Sequence, residues 1–104
     1  MKRLLLVLIA VAQVITVSLA GVAFAADTKL RVGVTPFPHK DIMLVVKDLL
    51  AKEGITLTIR EFTDYVQPNM ALEDKALDAN FFQCIPYLDN MITEQLLHLA
   101  WVAN

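Results

Sequence analysis

Between Leu30 and Thr35 the chain alternates Leu, Val and Val with Arg, Gly and Thr. A period of two predicts a strand. Pro36-Phe37-Pro38 interrupts it, and Pro38 is placed for the first turn of a helix, where its missing N–H costs nothing. From His39 to Glu53 the apolar residues Ile42, Val45, Val46, Leu49 and Leu50 make one stripe of an amphipathic helix, with Lys47, Asp48 and Lys52 off it. Gly54 supplies the stop. Ile55 to Phe62 alternates again, with Ile55, Leu57 and Ile59 on one face and Thr56, Thr58 and Arg60 on the other, the pattern of a sheet edge. Further along, a short helix is expected from Pro68 to Lys75, a third strand from Leu77 to Gln83, a helix from Pro86 to Leu97 and a fourth strand from His98 to Val102. Strands alternating with helices predict an α/β domain, βαβ-α-β-α in order, around a mostly parallel open sheet.

The first residues have a different pattern. Met1-Lys2-Arg3 is basic, Leu4 to Ala26 is almost wholly apolar, and Ala23-Phe24-Ala25 is a small-x-small site. Those three parts predict a secretory signal peptide over residues 1–25, cleaved after Ala25, which leaves residues 26–104 as one small domain. The apolar run is also long enough for an uncut membrane anchor, and the cleavage site favours removal. Losing Lys2 and Arg3 makes a chain of net charge −2 more acidic still. No basic patch remains to displace counterions from phosphates, which excludes a nucleic-acid role. A single cysteine forms no internal disulfide.

Candidate chemistry gathers between Phe62 and Asp89, a stretch with both tyrosines and the only cysteine. Aromatic residues beside Asp64, Asn69, Asp78, Asn80 and Gln83 suit a surface that grips a small ligand with apolar and polar parts. The same residues also suit an ordinary core, and on composition alone the core has the better claim. Asp64 and Asp78 are expected to cap turns and helix starts. His39 and His98 have no carboxylate at metal-ligand spacing, so no metal site is expected. No nucleophile elbow, phosphate loop or glycine run is present, and nothing implies a cofactor or an enzymatic step. Cys84 has no histidine neighbour in sequence and is expected to be a small buried hydrophobe.

The blocks DYVQPN (Asp64 to Asn69), Ala71-Leu72, LDAN (Leu77 to Asn80), Phe82-Gln83 and PYLD (Pro86 to Asp89) stand in one register, together with LRVGVTPFPH (Leu30 to His39). In these blocks the chain resembles the NlpA/MetQ family, the methionine-binding lipoproteins that serve bacterial ABC importers. The resemblance implies a two-lobed periplasmic-binding-protein fold, of which this chain carries part of the first lobe. It implies that Tyr65, Phe82 and Tyr87 line the pocket for a thioether side chain, with sulfur–aromatic attraction of about 0.3–1.5 kcal/mol beyond area burial. Asn80 either joins that lining or only ties backbone together. The resemblance also puts Cys84 in the ligand-binding lining, at a position where the family has a cleft-lining histidine, and cysteine offers no imidazole nitrogens to a ligand.

The family also carries a lipidated cysteine just after the signal, and none lies near Ala25. Its absence speaks against a lipid anchor and for an exported form, in the periplasm or on the outer face of the cytoplasmic membrane. The resemblance implies two partners: a methionine-like amino acid and the membrane permease of an importer. It implies solute capture as the function. No arginine follows Arg60, so no guanidinium fork stands ready for the ligand's carboxylate. The alternative expectation is a small exported interaction module, or a remnant without function because it lacks the second lobe.

Overall fold

Val32, Val34 and Leu57 are nearly inaccessible to water, and the rest of the domain is arranged around them. A computed structural model describes residues 27–104 of the chain. The expected signal segment lies outside the described residues. Strand β1 (Thr28–Val34) is central in a three-stranded parallel sheet of order β2-β1-β3, with β2 at Ile55–Glu61 and β3 at Ala79–Phe81. Helices α1 (Asp41–Ala51), α2 (Gln67–Glu73) and α3 (Ile85–Gln95) alternate with the strands. The order β1-α1-β2-α2-β3-α3 is the one that the periodicity predicts.

Burial alternates in β2, while in β1 Gly33 is buried along with Val32 and Val34, as suits a central strand covered on both faces. In β2 only Ile55, Leu57 and Ile59 are shielded, as expected of an edge strand with one covered face. Leu30, Met43, Val46, Leu50 and Ile59 pack around the central cluster. On the other face, Gly33 is a contact position. A Cβ there would lie 2.6 Å from Leu77 Cδ1 and 2.9 Å from Phe62 Cε2, so only glycine lets those side chains close over the strand.

Several expectations need correction. The helix begins at Asp41, and Pro38 sits before it in a wide turn, Pro36–Lys40, closed by Lys40 N–H to Thr35 O at 3.1 Å. Its single apolar stripe splits in two. Met43, Val46 and Leu50 face the sheet, whereas Ile42, Val45 and Leu49 are 46%, 61% and 55% exposed. The third strand is shorter than expected at both ends, since Leu77 and Asp78 precede it and Phe82 and Gln83 follow it. His98 to Val102 forms no strand. Gly54 ends α1 as expected, with φ +77°. No helix among the described residues is long and apolar enough to cross a membrane.

Side chains tie the elements together. The Asp78 carboxylate accepts Arg31 N–H (2.8 Å) and meets the guanidinium at Nε and Nη2 (3.2 Å each), while Asp78 N–H donates to Arg31 O (2.8 Å). Asp78 therefore locks β3 to β1 rather than capping a helix. Asp64 does cap: its Oδ2 accepts the N–H groups of Val66 (3.0 Å) and Gln67 (2.8 Å) as α2 begins. Lys40 and Glu61 pair across the ends of α1 and β2.

Candidate functional site

Parallel strands deliver their carboxyl ends to one edge of the sheet, and ligands of open α/β sheets bind there. Three connections leave that edge: Thr35 onward after β1, Phe62 onward after β2, and Phe82 onward after β3. Tyr65 lies on the second, Phe82 and Cys84 on the third, Asn80 within β3 and Tyr87 in the first turn of α3.

Asn69 is 0% exposed at the base of the second connection. A buried amide must find partners or cost about 1–3 kcal/mol. Asn69 and Gln83 satisfy each other reciprocally: Asn69 Nδ2 donates to Gln83 Oε1 (2.7 Å), and Gln83 Nε2 donates to Asn69 Oδ1 (2.8 Å). Asn80 Nδ2 adds bonds to Asn69 Oδ1 (2.9 Å) and Pro68 O (3.1 Å). The knot joins α2 to the connection after β3. Asn80 Nδ2 thus ties β3 to α2, and the same residue also borders the cavity beside β3.

Aromatic rings stand beside the knot. The Tyr65 and Phe82 rings are nearly parallel, with 6.3 Å between centroids and 6° between planes. Tyr87 meets Phe82 edge-on, at 6.2 Å and 79°. Tyr87 Oη donates to Tyr65 O at 2.7 Å, which fixes the loop carrying Tyr65 to α3. Phe82 is buried, while Tyr65 is 63% exposed. The result is a wall: one ring anchored in the core, one presented to solvent, and a third bracing both.

Beside β3 is a cavity of about 370 Å³. Asn80, Phe81, Phe82, Cys84, Trp101 and Val102 are among its lining residues. Tyr65 and Tyr87 are outside that lining and join the group only through Phe82. Cys84 precedes α3 and is exposed, which corrects the expectation of a buried thiol. The segment after α3 is held by Glu73, whose carboxylate accepts His98 N–H (2.9 Å) and contacts His98 Nδ1 (2.8 Å). Those hydrogen bonds hold the Glu73 carboxyl below its ordinary range, as the Arg31 guanidinium does for Asp78.

On the first connection the structure reveals residues that motif reading passed over. His39 Nδ1 lies 2.9 Å from the buried Thr35 Oγ1, and its ring meets Phe81 edge-on, with 4.8 Å between centroids. The available signal was position: a histidine on the loop that leaves the central strand.

Fold and site together define a small parallel α/β domain with an aromatic and amide surface at the carboxyl edge of its sheet. The family model described as NlpA lipoprotein matches residues 30–104, and the chain belongs to that family. Over 72 residues it is 39% identical to the methionine-binding lipoprotein MetQ of Bacillus subtilis, an alignment covering 69% of this chain and 26% of that protein. Among solved structures, it is similar to a nutrient-binding protein from Burkholderia cenocepacia bound to methionine. That match has TM-score 0.61 and 42% identity, over 64% of this chain and 28% of the other. Lipoprotein Tp32 of Treponema pallidum matches with TM-score 0.65 and 34% identity, over 67% and 29%. The chain spans about a quarter to two-fifths of the length of the curated relatives it matches.

Proposed function

We propose that this domain supplies one wall of a binding site for methionine or a related amino acid, in the exported substrate-binding component of an ABC importer. Binding without a chemical step is the whole of its role. The observation that carries the reading is the wall of Tyr65, Phe82 and Tyr87 at the carboxyl edge of the sheet, with Tyr65 left open to solvent. A thioether is soft and polarizable and packs well against ring faces and edges. Relatives named for methionine binding, and a similar structure bound to methionine, support the choice of ligand. The permease of the importer is the partner that such a component would serve.

A complete small-ligand site buries about 70–90% of its ligand. A single wall gives much less, so the chain by itself should bind weakly, with Kd on the order of 1 mM or about −4 kcal/mol. NMR titration of the ¹⁵N-labelled chain with L-methionine tests this. The expected result is saturable shifts confined to Tyr65, Phe82, Tyr87 and their neighbours. Shifts scattered over the surface, or none at millimolar ligand, would remove the reading.

A further inference from the structure

We infer that His39 is a ligand-contacting residue of the same site, donating a hydrogen bond from Nε2 to the carboxylate of the bound amino acid. This rests on the binding reading above and adds the polar half of recognition, which the aromatic wall lacks.

Position is the first support. In the order β2-β1-β3, the connection from β1 runs to one neighbour of the central strand, and β3 lies on its other side. The crevice between the carboxyl ends of β1 and β3 is therefore the switch point, where open parallel sheets receive ligands. His39 stands at this crevice: it follows β1 and packs edge-on against Phe81, the last residue of β3. The wall begins one residue later, at Phe82.

Hydrogen bonding is the second. Thr35 is 5% exposed, and its hydroxyl has His39 Nδ1 as its only side-chain partner among the described residues. A buried hydroxyl proton needs an acceptor. Thr35 Oγ1–H therefore donates to Nδ1, which leaves the ring proton on Nε2. The Thr35 bond and the Phe81 contact together fix the ring's direction. Nε2 has no hydrogen-bond partner among the described residues. The outcome is an N–H donor on a ring held in place beside the crevice, and an amino acid's carboxylate is an acceptor that matches it. The first turn of α3, which also opens from β3's carboxyl end, carries no acidic residue to repel that group.

The test compares L-methionine with L-methioninol, which keeps the thioether and the amine and has a hydroxymethyl group in place of the carboxylate. Both are titrated against the ¹⁵N-labelled chain. The wild type should prefer methionine by about tenfold, the worth of one hydrogen bond to a charged group. His39→Ala should lower methionine affinity to that of methioninol and leave methioninol unchanged. His39→Gln, which keeps an N–H donor, should restore part of the preference. Thr35→Val should reduce the preference by a smaller factor, because Thr35 acts through His39 as a positioning residue. Tyr65→Ala should weaken both ligands equally. If His39→Ala and His39→Gln keep the full preference while Tyr65→Ala weakens both ligands, the His39 assignment is wrong and the wall stands. If neither ligand moves the wild-type spectrum, the wall fails, and the His39 contact with it.

Discussion

Two neighbouring parts of the chain share residues 65–87 and treat polarity in opposite ways. The knot of Asn69, Asn80 and Gln83 spends its amide groups inward, and Asn69 is fully buried. The wall of Tyr65, Phe82 and Tyr87 anchors one ring in the core and leaves Tyr65 mostly exposed. A satisfied buried network is rigid, and breaking it strands its remaining members. An exposed ring has little to lose on removal except what it was there to touch. Polar residues beside the proposed binding surface are thus no guide to ligand contacts: here they build the frame, and of the three rings only Tyr65 is mostly exposed.

If that contrast is right, the interior and the wall should answer to mutation in different measurements. Asn69→Leu should have the largest effect, because it removes both close hydrogen bonds of the Gln83 amide and one of the two made by Asn80 Nδ2. The expected loss is about 3 kcal/mol of stability, or a fall in Tm of roughly 15 °C by thermal circular dichroism. A loss under about 1 kcal/mol would mean that water replaces the knot freely. Gly33→Ala comes next, at about 2 kcal/mol in urea denaturation, since the new methyl must displace Leu77 and Phe62. Tyr87→Phe deletes the hydrogen bond to Tyr65 O and should cost about 1 kcal/mol or less. Its spectral changes should centre on the loop around Tyr65.

Tyr65→Ala should barely move Tm, by less than about 0.5 kcal/mol equivalent, yet remove methionine binding from detection in the NMR titration. Equal damage to stability and binding would merge wall and frame into one core. The smallest effect is that of acid. The Asp78 and Glu73 carboxyls are held below their ordinary range, so each pair contributes fully above the unfolded carboxylate pKa, and the contribution fades as pH falls through the lowered values. Tm should therefore slip as pH falls below about 5, and Asp78→Asn should flatten part of that slope. Both pairs are exposed, so salt should weaken the effect.

The α/β class, the alternation of strands and helices and the stop at Gly54 could be read from the sequence, because periodicity and turn chemistry act locally. The family resemblance likewise marked the stretch in which the wall lies. Local patterns could not show which row of α1 faces the sheet. Ile42, Val45, Val46, Leu49 and Leu50 form one apolar arc, and only docking turned Val46 inward with Met43 while leaving Val45 outside. Nor could they decide the end of the chain. His98 to Val102 has the composition of a strand, but a strand needs hydrogen-bonded neighbours, and Glu73 holds His98 while the residues after it border a cavity beside β3. The exposure of Cys84, the tie from Asn80 to α2 and the setting of His39 between Thr35 and Phe81 were likewise settled in three dimensions. Each depends on atoms brought together by strand pairing between distant segments, and spacing along the chain carries no record of that.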